Sequence, residues 1–172
     1  MRIDFSKIKL IPEARQTFSF TEEMDPAAGG FDEYRLVRPL SCQGEAVHEG
    51  DAFLVRGKYA STAALQCSRC GRRFESPVSG EFSVRFQGGA PTDESGEEAV
   101  YALEGDQADL GPVLLSEIFF SLPMQPLCRE DCRGLCPCCG TDLNEGSCSC
   151  RREDIDPRWE KLKGFIKQNE SS

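Results

Sequence analysis

Long apolar runs are missing from this chain. The opening residues, Met1 to Ala14, interrupt their apolar positions with charge at Arg2, Asp4, Lys7 and Lys9. Neither a secretory leader nor a bilayer-spanning helix is expected from such a pattern, so the protein is expected in the cytoplasm with no membrane partner. Histidine is almost absent. His48 stands alone beside Glu49, Gly50 and Asp51, which reads as a solvated turn residue and not as a general base. No GxSxG, Walker-type phosphate loop or GxGxxG occurs, and no internal repeat. These absences predict a protein that is not an enzyme and takes no small-molecule substrate. Bases are missing from residues 88–127, which carry eight acids (Asp93, Glu94, Glu97, Glu98, Glu104, Asp106, Asp109, Glu117). That stretch accounts for all but one unit of the net charge of −9. Elsewhere 20 bases face 21 acids, so the overall acidity does not exclude RNA.

Cysteine is abundant: ten residues in 172. Reduced thiols of a cytoplasmic protein point to metal ligation before disulfides. Cys67 and Cys70 are separated by two residues and followed by Gly71; Cys136 and Cys139 repeat that spacing, followed by Gly140. Such a knuckle presents two sulfurs across one edge of a tetrahedron, with zinc about 2.3 Å from each. Cys148 and Cys150 fall on one side of an extended segment, because strand side chains alternate with period two. Cys136, Cys139, Cys148 and Cys150 therefore make one local four-sulfur shell. Cys67 and Cys70 are left to join Cys128 and Cys132 in a second, which closes a long loop at an entropic cost that zinc affinity exceeds. Two structural zinc ions are expected. Ferredoxin spacings are absent, and a thioredoxin-like pair at Cys136 and Cys139 lacks the flanking strand and helix. Cys42 reads as a small buried apolar residue and Cys138 as a spare thiol in the knuckle.

The predicted fold class is α+β. An antiparallel β-meander with one packed helix is followed by a cysteine-rich zinc-knuckle region and a C-terminal helix. Residues 1–34 read as a strand or two and a loop. Residues 35–87 alternate apolar and polar positions between Gly-containing turns, with the first knuckle at a hairpin tip. Residues 88–98 read as an acidic loop and 99–103 as a short strand. From Asp109, a capping acid, helical spacing runs through Val113, Leu114, Ile118 and Phe119 until Pro123. A last helix opens at Asp156-Pro157, and its stripe of Trp159, Leu162, Phe165 and Ile166 is expected to dock on the core. Two domains follow: a β-rich core at 1–127, and residues 128–172 as the zinc module with its helix.

Three segments taken together resemble one family: Leu65-Gln-Cys-Ser-Arg-Cys-Gly-Arg-Arg-Phe74, Leu122-Pro-Met-Gln-Pro-Leu-Cys128 and Gly134-Leu-Cys-Pro-Cys-Cys-Gly-Thr-Asp-Leu-Asn144. Their order and spacing are similar to those of the bacterial YceD proteins, named for accumulation of the large-subunit ribosomal RNA. The likeness runs from about residue 35 to Leu162 and includes the closing Asp156-Pro-Arg-Trp159. Family members commonly carry the CxRC matched by Cys67, Arg69 and Cys70. Some lack the distal cluster yet keep thiol or imidazole groups where Cys128 and Cys132 fall, which agrees with two separable shells. Gly71 departs from the apolar residue usual at its position. The resemblance implies a part in synthesis, processing or stability of large-subunit ribosomal RNA, with ribosomal RNA precursors or pre-large-subunit proteins as partners. Arg69, Arg72 and Arg73 at the first knuckle, with Arg129, Arg133, Arg151 and Arg152 around the second cluster, are candidate RNA or partner contacts. If the long-range shell forms, all seven are expected on one face. The same arginines serve equally well as counter-charges to Glu75, Glu130, Asp131 and Glu153. A protein adaptor and a thiol or zinc-status sensor are the competing readings.

Overall fold

A computed structural model describes residues 1–29, 34–88 and 100–150. The acidic loop expected at 88–98, apart from Gly88, and the expected C-terminal helix with its Trp159 stripe lie outside the described residues, as do Arg151 and Arg152. The chain forms two compact units: Met1–Cys128, and a second that opens at Arg129 and is described as far as Cys150.

The first unit is strand-rich, with a single α-helix and one 3₁₀ turn (Pro26–Gly29) among its described residues. A short ladder pairs β1 (Arg2–Asp4) with β8 (Gln107–Asp109). A six-stranded sheet holds β2 (Arg15–Glu22), β3 (Arg35–Leu36), β4 (Leu40–Glu49), β5 (Ala52–Gln66), β6 (Arg73–Gln87) and β7 (Val100–Ala102). Its order is β2-β4-β5-β6-β7. β3 pairs with β5 at Ala63 and Ala64, beyond the span paired with β4. The antiparallel meander predicted for 35–87 is present. β7 departs from it by running parallel to β6, with Arg85 opposite Val100.

Period two decides which side chains face the core. On β6, Val78, Phe82, Val84 and Phe86 are buried while Glu75, Ser79, Glu81 and Ser83 are exposed. On β5, Phe53, Val55, Tyr59, Ala63 and Leu65 point to the same side. Phe5 stacks on Phe53 with ring centroids 4.2 Å apart and closes the core from the β1 side. One row of the sheet reads Phe18, Gly44, Gly57, Phe82 across four strands. The two glycines face each other, and a Cβ on Gly57 would lie 2.9 Å from the ring of Phe82. The rings thus occupy the space the glycines leave, which lets the sheet curl without a void.

Helix α1 (Gly111–Ser121) packs on β6 and buries Val113, Leu114, Leu115 and Ile118. It begins two residues after the expected cap. Leu110 holds the N-cap position, and the Asp109 carboxylate instead accepts the Gly111 N–H at 2.8 Å. Leu122 turns to extended backbone, as a residue before proline must, and the helix ends.

His48 corrects the sequence reading. It is not a solvated turn residue but a buried side chain near the end of β4, only 9 % exposed. Alternation puts it on the inner face with Ala46 and Gly44. There its ring stacks on Phe53 at 4.9 Å, and Nδ1 lies 3.1 Å from the Ile11 carbonyl oxygen. The turn signal of Glu49-Gly50-Asp51 belongs to the next residues, with Gly50 at φ +69°. Cys42 is buried on the same face, and burial pushes its thiol up to about 11, as suits an inert apolar filler.

Candidate metal centres

β5 and β6 form a long hairpin whose tip is Cys67–Arg72. The strand register fixes the tip: Gln66 pairs with Arg73, and the Cys67 N–H donates to the Arg72 carbonyl at 2.8 Å. The Gly71 N–H closes the turn on the Cys67 carbonyl at 2.9 Å, with Gly71 at φ +71°. Positive φ explains the departure noted at this position: a side chain here is strained whatever space surrounds it. Downstream of α1, Pro126 accepts the Ser68 N–H at 2.8 Å and so brings Cys128 to the tip.

The sulfurs of Cys67, Cys70, Cys128 and Cys132 lie within 4.8 Å of one another, and those of Cys70 and Cys128 are 3.7 Å apart. Four thiolates about 2.3 Å from a central zinc stand about 3.8 Å from each other, so this donor set fits a closed tetrahedral site. Cys67, Cys70 and Cys132 are buried. Backbone N–H groups of Cys128 first, then Cys70 and Arg69, donate to the Cys67 sulfur and hold its thiol down at about 6.

The second set, Cys136, Cys139, Cys148 and Cys150, also keeps its sulfurs within 4.8 Å of one another. Its knuckle repeats the turn of the first: the Gly140 N–H donates to the Cys136 carbonyl at 2.9 Å, and Gly140 has φ +73°. Amides of Cys139 and then Cys138 bring the Cys136 thiol to about 6. Cys139 is lowered by the Thr141 hydroxyl, whose Oγ1 is 3.1 Å from its sulfur. Cys136 pushes Cys148 up, and Cys139 pushes Cys150 up to about 12. Four adjacent thiols do not all ionise unaided; a dication bound among them supplies the charge that makes all four thiolates. Cys138, the spare thiol, is exposed and outside both sets.

The two sets are those the spacing predicts. Arg69, Arg72 and Arg73 are exposed at the first knuckle of the first unit, whereas Arg129 and Arg133 are exposed in the second. Arg129 reaches Asp131 at 3.3 Å, one of the counter-charges anticipated for it. Two residues escaped sequence reasoning. Thr141 is one; Asn144, whose amide reaches the sulfur of Cys132 at 3.5 Å, is the other. The signal for Asn144 lay in Asp142-Leu-Asn144, a side-chain-to-backbone turn pattern. The turn forms, with the Asn144 N–H on Asp142 Oδ1 at 2.8 Å.

Residues 55–166 match the family model described as large ribosomal RNA subunit accumulation protein YceD. The chain is 37% identical over 129 residues to uncharacterised proteins of Mycobacterium tuberculosis and Mycobacterium bovis, covering 72% of this chain and 59% of theirs. It thus spans little more than half the length of these mycobacterial relatives. The uncharacterised protein YlbN of Bacillus subtilis is 26% identical over 165 residues, covering 92% of this chain and 93% of its own. No solved structure matches.

Proposed function

This chain belongs to the YceD family, and we propose that it is a zinc-stabilised, non-enzymatic factor in the accumulation of large-subunit ribosomal RNA. The family match carries the process. The two four-sulfur sets carry the zinc. An all-thiolate shell leaves zinc no open position for water, so the metal's chemistry here is structural: it fixes turns and exposes what those turns present. Cys67, Cys70, Cys128 and Cys132 would hold one ion, and Cys136, Cys139, Cys148 and Cys150 the other. The first knuckle presents Arg69, Arg72 and Arg73 to solvent, a group suited to phosphate oxygens. Among the described residues no helix is long and apolar enough to cross a membrane. A cytoplasmic location accords with the proposed role and with thiols kept reduced for metal.

Depletion of the protein in its host is expected to lower the ratio of large- to small-subunit ribosomal RNA and to raise large-subunit precursors. An unchanged ratio would remove the proposal.

A second reading, an adaptor without RNA contact, draws on the apolar groups at the end of α1, where Phe120 is 78% exposed and Met124 fully so. Salt separates the two. Direct contact predicts RNA affinity that falls steeply as salt rises, and a reduced salt slope together with roughly tenfold or greater loss in the Arg69→Ala, Arg72→Ala, Arg73→Ala triple variant. RNA binding indifferent to those three changes leaves the adaptor.

A further inference from the structure

The geometry points to Asn144 as a positioning residue that couples the two metal centres, so that metal in the Cys136 set raises the affinity of the Cys67 set. This inference rests on the zinc reading above and concerns a residue in neither shell.

Asn144 belongs to the connection 140–147, whose two ends are tied by Cys139 and Cys148 of the second set. Its side chain is fully engaged. Oδ1 accepts the Arg133 backbone N–H at 2.8 Å and a guanidinium N–H of Arg129 at 2.8 Å. Nδ2 donates to Asp142 Oδ1 at 2.6 Å and to the Cys132 sulfur at 3.5 Å. These partners fix the amide orientation. Two donors face the oxygen and two acceptors face the nitrogen, and the flipped amide would set donor against donor. Cys132 is a member of the first set. One amide in the loop of the second centre thus touches a sulfur of the first, holds the backbone N–H of the residue that follows that cysteine and anchors the Arg129 side chain.

The loop around Asn144 has its own scaffolding. Asp142 accepts from the backbone N–H groups of Asn144, Glu145 and Gly146, and the Leu143 N–H donates to the Gly134 carbonyl at 2.9 Å. Such a turn holds its shape only while its ends are held, and metal in the second set holds them. An N–H donated to a metal-bound thiolate stabilises its charge and aims its lone pair. Outer-shell partners of this kind are worth about 10- to 100-fold in metal affinity. With the second set filled, the ordering cost of placing that N–H has already been met, so the first set binds more tightly. By linkage the effect is reciprocal.

Zinc competition against a chromophoric chelator tests this on the full chain, with the cadmium-substituted protein's metal NMR separating the two sites and Cys67→Ser identifying the first. Asn144→Ala is expected to weaken the first site about tenfold and to shift its cadmium resonance. Cys148→Ser with Cys150→Ser, which removes the second set, is expected to weaken the first by a similar factor. Adding Asn144→Ala to that double variant should then cost less than about threefold, since the N–H is already misplaced. Asn144→Asp keeps the acceptor for Arg133 but brings no N–H to the sulfur, and should lose at least as much as the alanine. Wild-type affinity at the first site in Asn144→Ala or Asn144→Asp overturns the positioning role. An unaltered first site after loss of the second set overturns the coupling. Wild-type protein that takes up no zinc, or loses none on Cys67→Ser, overturns the zinc reading itself and this inference with it.

Discussion

Stripping metal with a strong chelator is expected to unfold residues 129–150 while the β-core stays folded. The reason lies in what those residues lack. Among the described residues their only β-pairing is a single bridge between Leu135 and Asp142, and only Cys132, Gly134 and Cys136 among them are buried. So little buried apolar surface cannot offset backbone ordering of about 1–2 kcal/mol per residue. Structural zinc in comparable small modules contributes about 10–16 kcal/mol of folding free energy. The first unit instead buries Phe5, Phe53, Phe82, Phe86, Val55, Leu114 and Ile118 in one core and needs no metal to hold it. Loss of the ion at Cys67 and Cys70 should fray only the hairpin tip. Hydrogen exchange read peptide by peptide checks this: protection should vanish over 129–150 and persist in β4, β5 and β6. Equal protection across 129–150 with and without metal would show that zinc is not what folds the second unit.

Gly44→Val is expected to destabilise the β-core by about 3 kcal/mol, at the upper end of overpacking costs. A Cβ at Gly44 would collide with the Arg56 carbonyl, and it would lie 2.7 Å from the Gly57 Cα and 2.8 Å from Phe18 Cζ. Two of those neighbours are backbone of the adjacent strand, which cannot step aside without breaking the register between Ser41 and Glu49 on β4 and their partners on β5. The urea midpoint of the metal-loaded protein should therefore fall sharply. Gly88→Val serves as the contrast, since nothing lies within 4 Å of a Cβ at Gly88, and should leave the midpoint in place. Equal midpoints for the two variants would mean that the glycine row does not set the curl of the sheet.

Much of this architecture was legible beforehand, and the particulars show why. The alternation on β6 and the helical spacing of Val113, Leu114 and Ile118 are local periodicities: each states which face is apolar without reference to the rest of the chain. Local chemistry also placed the first knuckle at a hairpin tip. It failed at His48, where a run of turn-forming neighbours outweighed a strand register that puts the ring against Phe53. At β7 it marked a short strand but not its direction. A three-residue strand carries no mark of direction, and only its pairing with Arg85, Phe86 and Gln87 decides that it runs parallel.

By itself, the sequence determined three of the ligand pairs: Cys67 with Cys70 and Cys136 with Cys139 at knuckle spacing, and Cys148 with Cys150 at the spacing of an extended pair, each presenting two sulfurs together. It also determined the alternation that builds the curled sheet. The remaining pair, Cys128 and Cys132, fell to the first shell by elimination, and only the tertiary structure shows how it gets there: bringing the sulfur of Cys128 to 3.7 Å from that of Cys70 across 58 residues depends on α1 packing on β6 and on Pro126 meeting Ser68. The role of Asn144 was decided there too. A ligand pair is a matter of bond lengths along a few residues, whereas an amide aimed at a sulfur twelve residues away depends on how the intervening turns fold.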